Sequence, residues 1–137
     1  MQREKGFTLL ELIVVIIILG ILATLGFTQY TMVIEKGRSA EARVILGQLR
    51  TAEIAYNQEN GTYTGIGNIY VGAPLSCTST HYFSYGVSAS WPAACGGAGW
   101  ATIATRCTSG GKSPPYSTAY SLRLCIDLGI WNNDAPW

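Results

Sequence analysis

Lys5-Gly6-Phe7-Thr8-Leu9-Leu10-Glu11-Leu12 leads into an apolar run, and its reading decides how the rest of the chain is organised. From Leu12 to Ile34 there are 23 residues without a formal charge. As a helix they cover about 35 Å at ~1.5 Å per residue, more than the roughly 30 Å hydrocarbon core of a bilayer. Arg3 and Lys5 stand in front, and a short basic head of this kind keeps an N-terminus cytoplasmic while the following chain is exported. A secretory signal would carry a shorter apolar region and an A-x-A-like cut after it. Neither is evident here, so the apolar segment is expected to be retained. Glu11 is the anomaly within it. A carboxylate in hydrocarbon costs about 2.5 kcal/mol or more, which makes it a functional candidate unless it snorkels to the headgroups.

Residues 7 to 59 contain no proline, the first being Pro74. One helix of about 53 residues, roughly 80 Å long, is therefore expected. Its character changes at Glu35-Lys36-Gly37-Arg38. Beyond that point Ala42, Ile45, Leu49, Ala52 and Tyr56 recur at three- and four-residue spacing, with Leu46 beside them. This is the pattern of an amphipathic helix with one face free to pack on a domain. Arg38 with Glu41, and Arg50 with Glu53, form i,i+3 pairs expected on a solvated or subunit-facing surface. Asn60-Gly61 should end the helix, since glycine suits the left-handed closing turn.

After residue 61 the pattern shortens to β segments. Tyr82 to Ser88 is rich in aromatic residues. Trp100 to Arg106 alternates, and Tyr120, Leu122, Leu124 and Ile126 alternate most cleanly against Ser121, Arg123, Cys125 and Asp127. Asn68 to Val71 is a weaker candidate, and Thr108 to Pro115 is a loop by composition. The fold class expected is α+β: a long N-terminal helix packed on a small antiparallel sheet of three or four strands, with two disulfides. Its divisions are a leader at 1–6, an apolar helix at 7–34, an amphipathic helix at 35–60 and a β-rich head at 61–137.

All four cysteines follow residue 76. An even set confined to the exported part reads as two disulfides in an oxidising compartment, and the spacing contains no C-x-x-C zinc knuckle. Sequence leaves three connectivities open. If strand 82–88 pairs with 101–107, Cys77 and Cys107 sit at one end of that hairpin. If 101–107 then pairs with 119–125, Cys125 falls opposite residue 101, near the loop that holds Cys95. That register favours Cys77–Cys107 and Cys95–Cys125, against the rival Cys77–Cys95 and Cys107–Cys125.

Catalytic chemistry finds little support. His81 is the only histidine, and Asp127 and Asp134 are the only acids after Glu59. Ser109-Gly110-Gly111-Lys112 lacks phosphate-loop spacing and a following helix. No metal, cofactor or enzyme is expected. The chain carries a formal charge of +1, and without residues 1–6 it has seven basic and seven acidic side chains. There is thus no global basic field for nucleic acid. Trp91, Trp100, Trp131 and Trp137, with Tyr82, Tyr85, Tyr116 and Tyr120, could stack on sugars or single-stranded DNA. The usual role of such residues is to fill a small core and bury contacts.

Gly6-Phe7-Thr8-Leu9-Leu10-Glu11, after a short basic leader and before an apolar run, closely resembles the type III signal of type IV prepilins and type II secretion pseudopilins. The resemblance implies that a prepilin peptidase cuts between Gly6 and Phe7 and methylates the new amine of Phe7. It implies that Glu11 then pairs with that amine on a neighbouring subunit. Tyr56 to Tyr63 also resembles the helix exit of many pilins. One departure is the missing proline in the apolar half, where Gly20 and Gly26 could permit the helix to loosen without forcing it. The function implied is a structural pilin of an extracellular filament, held first in the bacterial inner membrane with its N-terminus cytoplasmic. Its partners would be like subunits, the peptidase, membrane lipid, and an assembly platform with its ATPase, since the chain has no ATPase motif. The alternatives are a type II secretion pseudopilin and a minor pilin acting as adhesin or DNA-binding tip. Some pseudopilins bind calcium through a C-terminal acidic loop, for which Asp127, Asn132, Asn133 and Asp134 offer few ligands.

Overall fold

The computed structural model describes residues 6–69, 71–89, 95 and 99–136, with the backbone alone at Thr28. The basic head at Arg3 and Lys5, together with Tyr70, Trp91 and Trp137, lies outside the described residues. The chain divides into two compact units, Met1–Gly37 and Arg38–Trp137.

A single helix, α1, runs Leu9–Asn60, beginning two residues later than Phe7, where the sequence reading started it. Between Leu9 and Val33 its large apolar side chains are all exposed, from 37% at Met32 to 76% at Leu9. A helical stretch apolar on every side and covered by none of the described residues is suited to lipid or to other helices. It is the one helix among the described residues long and apolar enough to cross a membrane. Its end falls where expected: Gly61 adopts φ +72° and donates its N–H to Asn57 O at 2.7 Å.

In the second unit the helix packs on a four-stranded antiparallel sheet in the order β1-β2-β3-β4. The strands are β1 (Phe83–Ser88), β2 (Ala101–Arg106), β3 (Ser121–Cys125) and β4 (Trp131–Asn133). The register sets Phe83 opposite Arg106 and Ala101 opposite Cys125. The alternation read from the sequence thus delivers Phe83, Tyr85, Ala104, Leu122 and Leu124 to one face of the sheet, where Tyr120 also lies in the core cluster. β4 is a strand that the sequence reading left unresolved. It has three residues, all exposed, and two of them are asparagine, so periodicity could not mark it. The Asn68 to Val71 segment forms no strand among its described residues; a 3-10 turn occupies Ile66–Asn68 instead.

The buried stripe of the helix differs from the one expected. Ser39, Ala42, Leu46, Leu49 and Glu53 are buried, while Ile45, Ala52 and Tyr56 are only partly covered. The contact line is therefore rotated by roughly 50°, about half a residue. Glu53 lies on that line, fully buried, and accepts the Thr64 N–H at 3.0 Å. Arg50 does not face Glu53 as a surface pair either: its Nε donates to Ile126 O at 2.7 Å. Both charged groups thus bind backbone of the head.

Two disulfides staple the sheet. Cys77–Cys107 and Cys95–Cys125 have Cα separations of 5.8 and 5.5 Å. Gly111 packs against the first so closely that an added Cβ would collide with Cys107 Cβ. That close approach explains a glycine in Ser109-Gly110-Gly111-Lys112 without any phosphate.

Candidate processing and assembly site

Thr8 is the N-cap of α1, and Glu11 stands at the third helical position. The Thr8 N–H and Oγ1 both donate to Glu11 Oε2 at 2.8 Å, and the Glu11 N–H donates back to Thr8 Oγ1 at 3.3 Å. This is a reciprocal capping box, which satisfies donors that a helix start leaves without partners. The sequence reading assigned Glu11 a charge role and overlooked the box, although Thr8-x-x-Glu11 before an apolar run is its usual signature. The carboxylate is exposed, and both bonds fall on Oε2. Among the described residues Oε1 accepts no hydrogen bond.

Phe7 precedes the cap and is 90% exposed. Gly6 and Phe7 lie outside regular secondary structure, so the Gly6–Phe7 bond precedes the first turn of the helix. A protease that needs an extended strand could take this bond without unwinding the helix. Were the chain cut there, the new amine would be largely cationic near neutral pH and would sit beside the first turn, where Glu11 already favours the helix macrodipole.

Further along, α1 continues through Gly20 and Gly26 without a break. A Cβ at either would meet nothing within 4 Å, so nothing in this chain requires a glycine there. Thr24 Oγ1 donates to Gly20 O at 2.9 Å.

Residues 1–27 match the family model for the prokaryotic N-terminal methylation motif. Among curated proteins, the chain is 41% identical over 61 residues to a fimbrial protein of Moraxella nonliquefaciens, which covers 44% of this chain and 39% of that protein. It is 33% identical over 66 residues to the type IV major pilin protein PilA of Myxococcus xanthus, covering 48% of this chain and 30% of that one.

Over its N-terminal part the chain is thus similar to type IV pilins and fimbrial proteins. A third relative, the type IV major fimbrial protein FimA of Dichelobacter nodosus, is 43% identical over 49 residues, covering 36% of this chain and 31% of that protein. The chain thus matches between three and four tenths of the length of these relatives. No solved structure matches it significantly.

The head supplies packing at the positions weighed for chemistry. His81 Nδ1 lies 2.8 Å from Thr80 Oγ1, and its ring stacks edge-on against Tyr85. Asp134 chelates Arg123, with Nη1 to Oδ1 at 2.9 Å and Nη2 to Oδ2 at 2.5 Å. Those bonds hold the Asp134 carboxyl below its ordinary pKa. Asp127 accepts the Tyr63 hydroxyl, which pushes Tyr63 up to about 12. Each acid of the C-terminal segment is therefore engaged by a side chain of the head. No metal-binding cluster is found among the described residues.

Arg106, the last residue of β2, is a buried charge. It is 1% exposed, and its guanidinium donates to the carbonyls of Tyr82, Cys107 and Pro114. It also lies over the rings of Tyr82, Phe83 and Tyr116. It clamps the loop after β2 to the hairpin, a role fixed by tertiary contacts alone.

Proposed function

We propose that this chain is a structural subunit of a type IV pilus-like extracellular filament, assembled through α1 after prepilin peptidase cuts between Gly6 and Phe7 and methylates Phe7. The single observation that carries this reading is the continuity of three features in one element. The methylation motif of residues 1–27 leads into a helix exposed and apolar on every side, and that helix ends packed in a disulfide-bonded head. An exposed apolar surface of this length needs lipid before assembly and neighbouring helices after it. Exchanging one for the other keeps the surface buried while helix packing sets the geometry.

In this reading Glu11 has two roles. Through Oε2 it caps its own helix, and through its charge it neutralises the Phe7 amine of a neighbouring subunit, which fixes axial register. The subunit waits in the inner membrane with its N-terminus cytoplasmic and is extracted by an assembly platform and its ATPase. A filament subunit needs no catalytic centre of its own. The relatives named as major pilin and major fimbrial proteins favour a pilus subunit over a pseudopilin.

The test combines two measurements on cells that express the chain with a pilus assembly system. Mass spectrometry of the mature protein should find methylated Phe7 at the N-terminus. Electron microscopy with an antibody to the head should find long labelled fibres. An unprocessed chain, or labelling confined to fibre tips or absent from the surface, would reject the major-pilin reading.

A further inference from the structure

The charged side chains of the second unit are sorted between the two ends of the sheet. The register sets Phe83 opposite Arg106 at one end and Ala101 opposite Cys125 at the other. At the first end three cations surround the Tyr82 ring: Lys112 Nζ lies 4.8 Å from its centroid, the Arg38 guanidinium 5.1 Å and the Arg106 guanidinium 5.2 Å. Glu41, one helical turn beyond Arg38, opposes them, but its Oε1 is buried and has no hydrogen-bond partner among the described residues. The second end has the reverse balance. There Arg50 donates to the Ile126 and Asp127 carbonyls, and the acids are Glu53, Asp127 and, further along the helix, Glu59. Of the remaining charges, Arg43 lies over the Trp131 ring and Arg123 is neutralised by Asp134.

The turn Ser109-Gly110-Gly111-Lys112 fixes the most accessible of the three cations. Gly110 adopts φ +68°, Gly111 packs on Cys107, and the Lys112 N–H donates to His81 O at 2.9 Å. The glycines serve the turn, and the lysine is what the turn presents. Lys112 is exposed and forms no ion pair among the described residues. Arg38 is half-buried, and Arg106 is buried, so it adds charge without reaching solvent. Like charges gathered round one ring repel one another, and an anion beside them relieves that repulsion.

Chain length decides which anionic surface lies nearby. Arg38 is the first residue of the second unit, and the uncharged run ends at Ile34. The four residues from Ile34 to Arg38 reach at most about 14 Å even when fully extended. With the run in a bilayer, the cluster therefore stays within reach of the headgroups whatever the angle between the two units. Glu35 and Lys36, in between, cancel each other. Arg50 marks the acid-rich end and lies twelve residues beyond Arg38, about 18 Å along the helix. That is more than the ~8 Å Debye length at physiological salt, so an anionic surface at the near end attracts the cations without repelling the distant acids.

We propose that the Arg38, Tyr82 and Lys112 cluster binds the phosphate of an anionic lipid headgroup while the chain is held in a membrane. Lys112 and Arg38 contact phosphate oxygens, and Arg106 strengthens the field from its buried position. The proposal rests on the membrane-held stage of the filament reading above and adds which end of the head meets the lipid. A contact made by charge at a wet surface is weak and screened by salt, which lets the subunit leave the membrane when it is extracted.

Nanodiscs holding the full chain test it, made of phosphatidylcholine alone or with one third of it replaced by phosphatidylglycerol. A photo-crosslinking residue replaces Ser109, which is exposed in the turn that presents Lys112. Lipid adducts in the anionic discs should exceed those in the neutral discs by about fivefold or more. Lys112→Gln should lower them about fivefold while Lys112→Arg keeps them, the factor that ~1 kcal/mol for one basic side chain at an anionic surface gives. Equal adducts in the two discs, or adducts that Lys112→Gln leaves unchanged, overturn the headgroup site and leave the filament reading intact. Inorganic phosphate should compete no better than chloride at matched ionic strength. A selective loss of adducts in phosphate assigns the cluster to free phosphate and overturns lipid as its occupant. The same crosslinker in place of Leu128, 56% exposed beside Asp127, should show no preference for the anionic discs, and a preference there rejects the orientation. A chain that enters neither disc overturns the membrane-held stage together with the site.

Discussion

Thr8 and Glu11 close the start of α1 on each other: two Thr8 donors meet Glu11 Oε2 at 2.8 Å, and the Glu11 N–H returns to Thr8 Oγ1. The residue proposed to set filament register is thus also held by its own helix. That coupling separates two roles which a simple truncation would confuse.

Glu11→Gln should distinguish them. Glutamine serves a capping box as glutamate does but carries no charge to neutralise a neighbouring amine. Filament yield from Glu11→Gln is expected to fall as far as from Glu11→Ala. Thr8→Ala loses the cap, at about 1 kcal/mol of helix stability, yet should still assemble. Near-normal filaments from Glu11→Gln would assign Glu11 to capping alone.

The head should respond to pH through Glu53 and Asp134 in opposite senses. Burial raises the Glu53 carboxyl above its ordinary value near 4.5, against the Thr64 N–H bond that lowers it. In the window between those values the folded chain holds the extra proton, so stability falls as pH rises through it. Glu53→Gln should remove that fall and raise Tm at pH 7 relative to the parent. Asp134, held low by Arg123, contributes stability above the ordinary carboxylate range that is lost as pH drops through it. Asp134→Asn should flatten the acid side of a Tm-against-pH curve.

Arg106→Lys should destabilise the head by about 2 kcal/mol or more, measured by denaturant unfolding. A lysine keeps the charge but cannot reproduce the planar fork that reaches the Tyr82, Cys107 and Pro114 carbonyls, and it leaves buried acceptors unsatisfied.

Each disulfide closes a separation of 30 residues. On the loop-entropy model, replacing the Cys95 and Cys125 pair by alanine should cost about 3.5 kcal/mol of head stability. Non-reducing peptide maps should show Cys77 linked to Cys107 and Cys95 linked to Cys125. Gly111→Ala should also destabilise, by about 1 to 3 kcal/mol, as its Cβ drives into Cys107.

What the amino-acid order determined by itself is local. The uncharged run from Leu12 to Ile34, the absence of proline before Pro74 and the glycine at 61 set the helix and its end, because length, charge and backbone freedom act within a few residues. Period-two alternation marked β1 to β3 and, through their register, brought Cys125 opposite Ala101. The tertiary structure decided what depends on distant partners. Glu53 and Arg50 left the helix surface because Thr64 and Ile126 offered backbone groups to them. β4 formed because β3 had a free edge, not because its own residues favour a strand. Arg106 became a buried clamp only once the Tyr82 and Pro114 carbonyls were brought beside that of its neighbour Cys107. The capping box at Glu11 belongs to the first kind and was there to be read: its donors and acceptor lie within four consecutive residues.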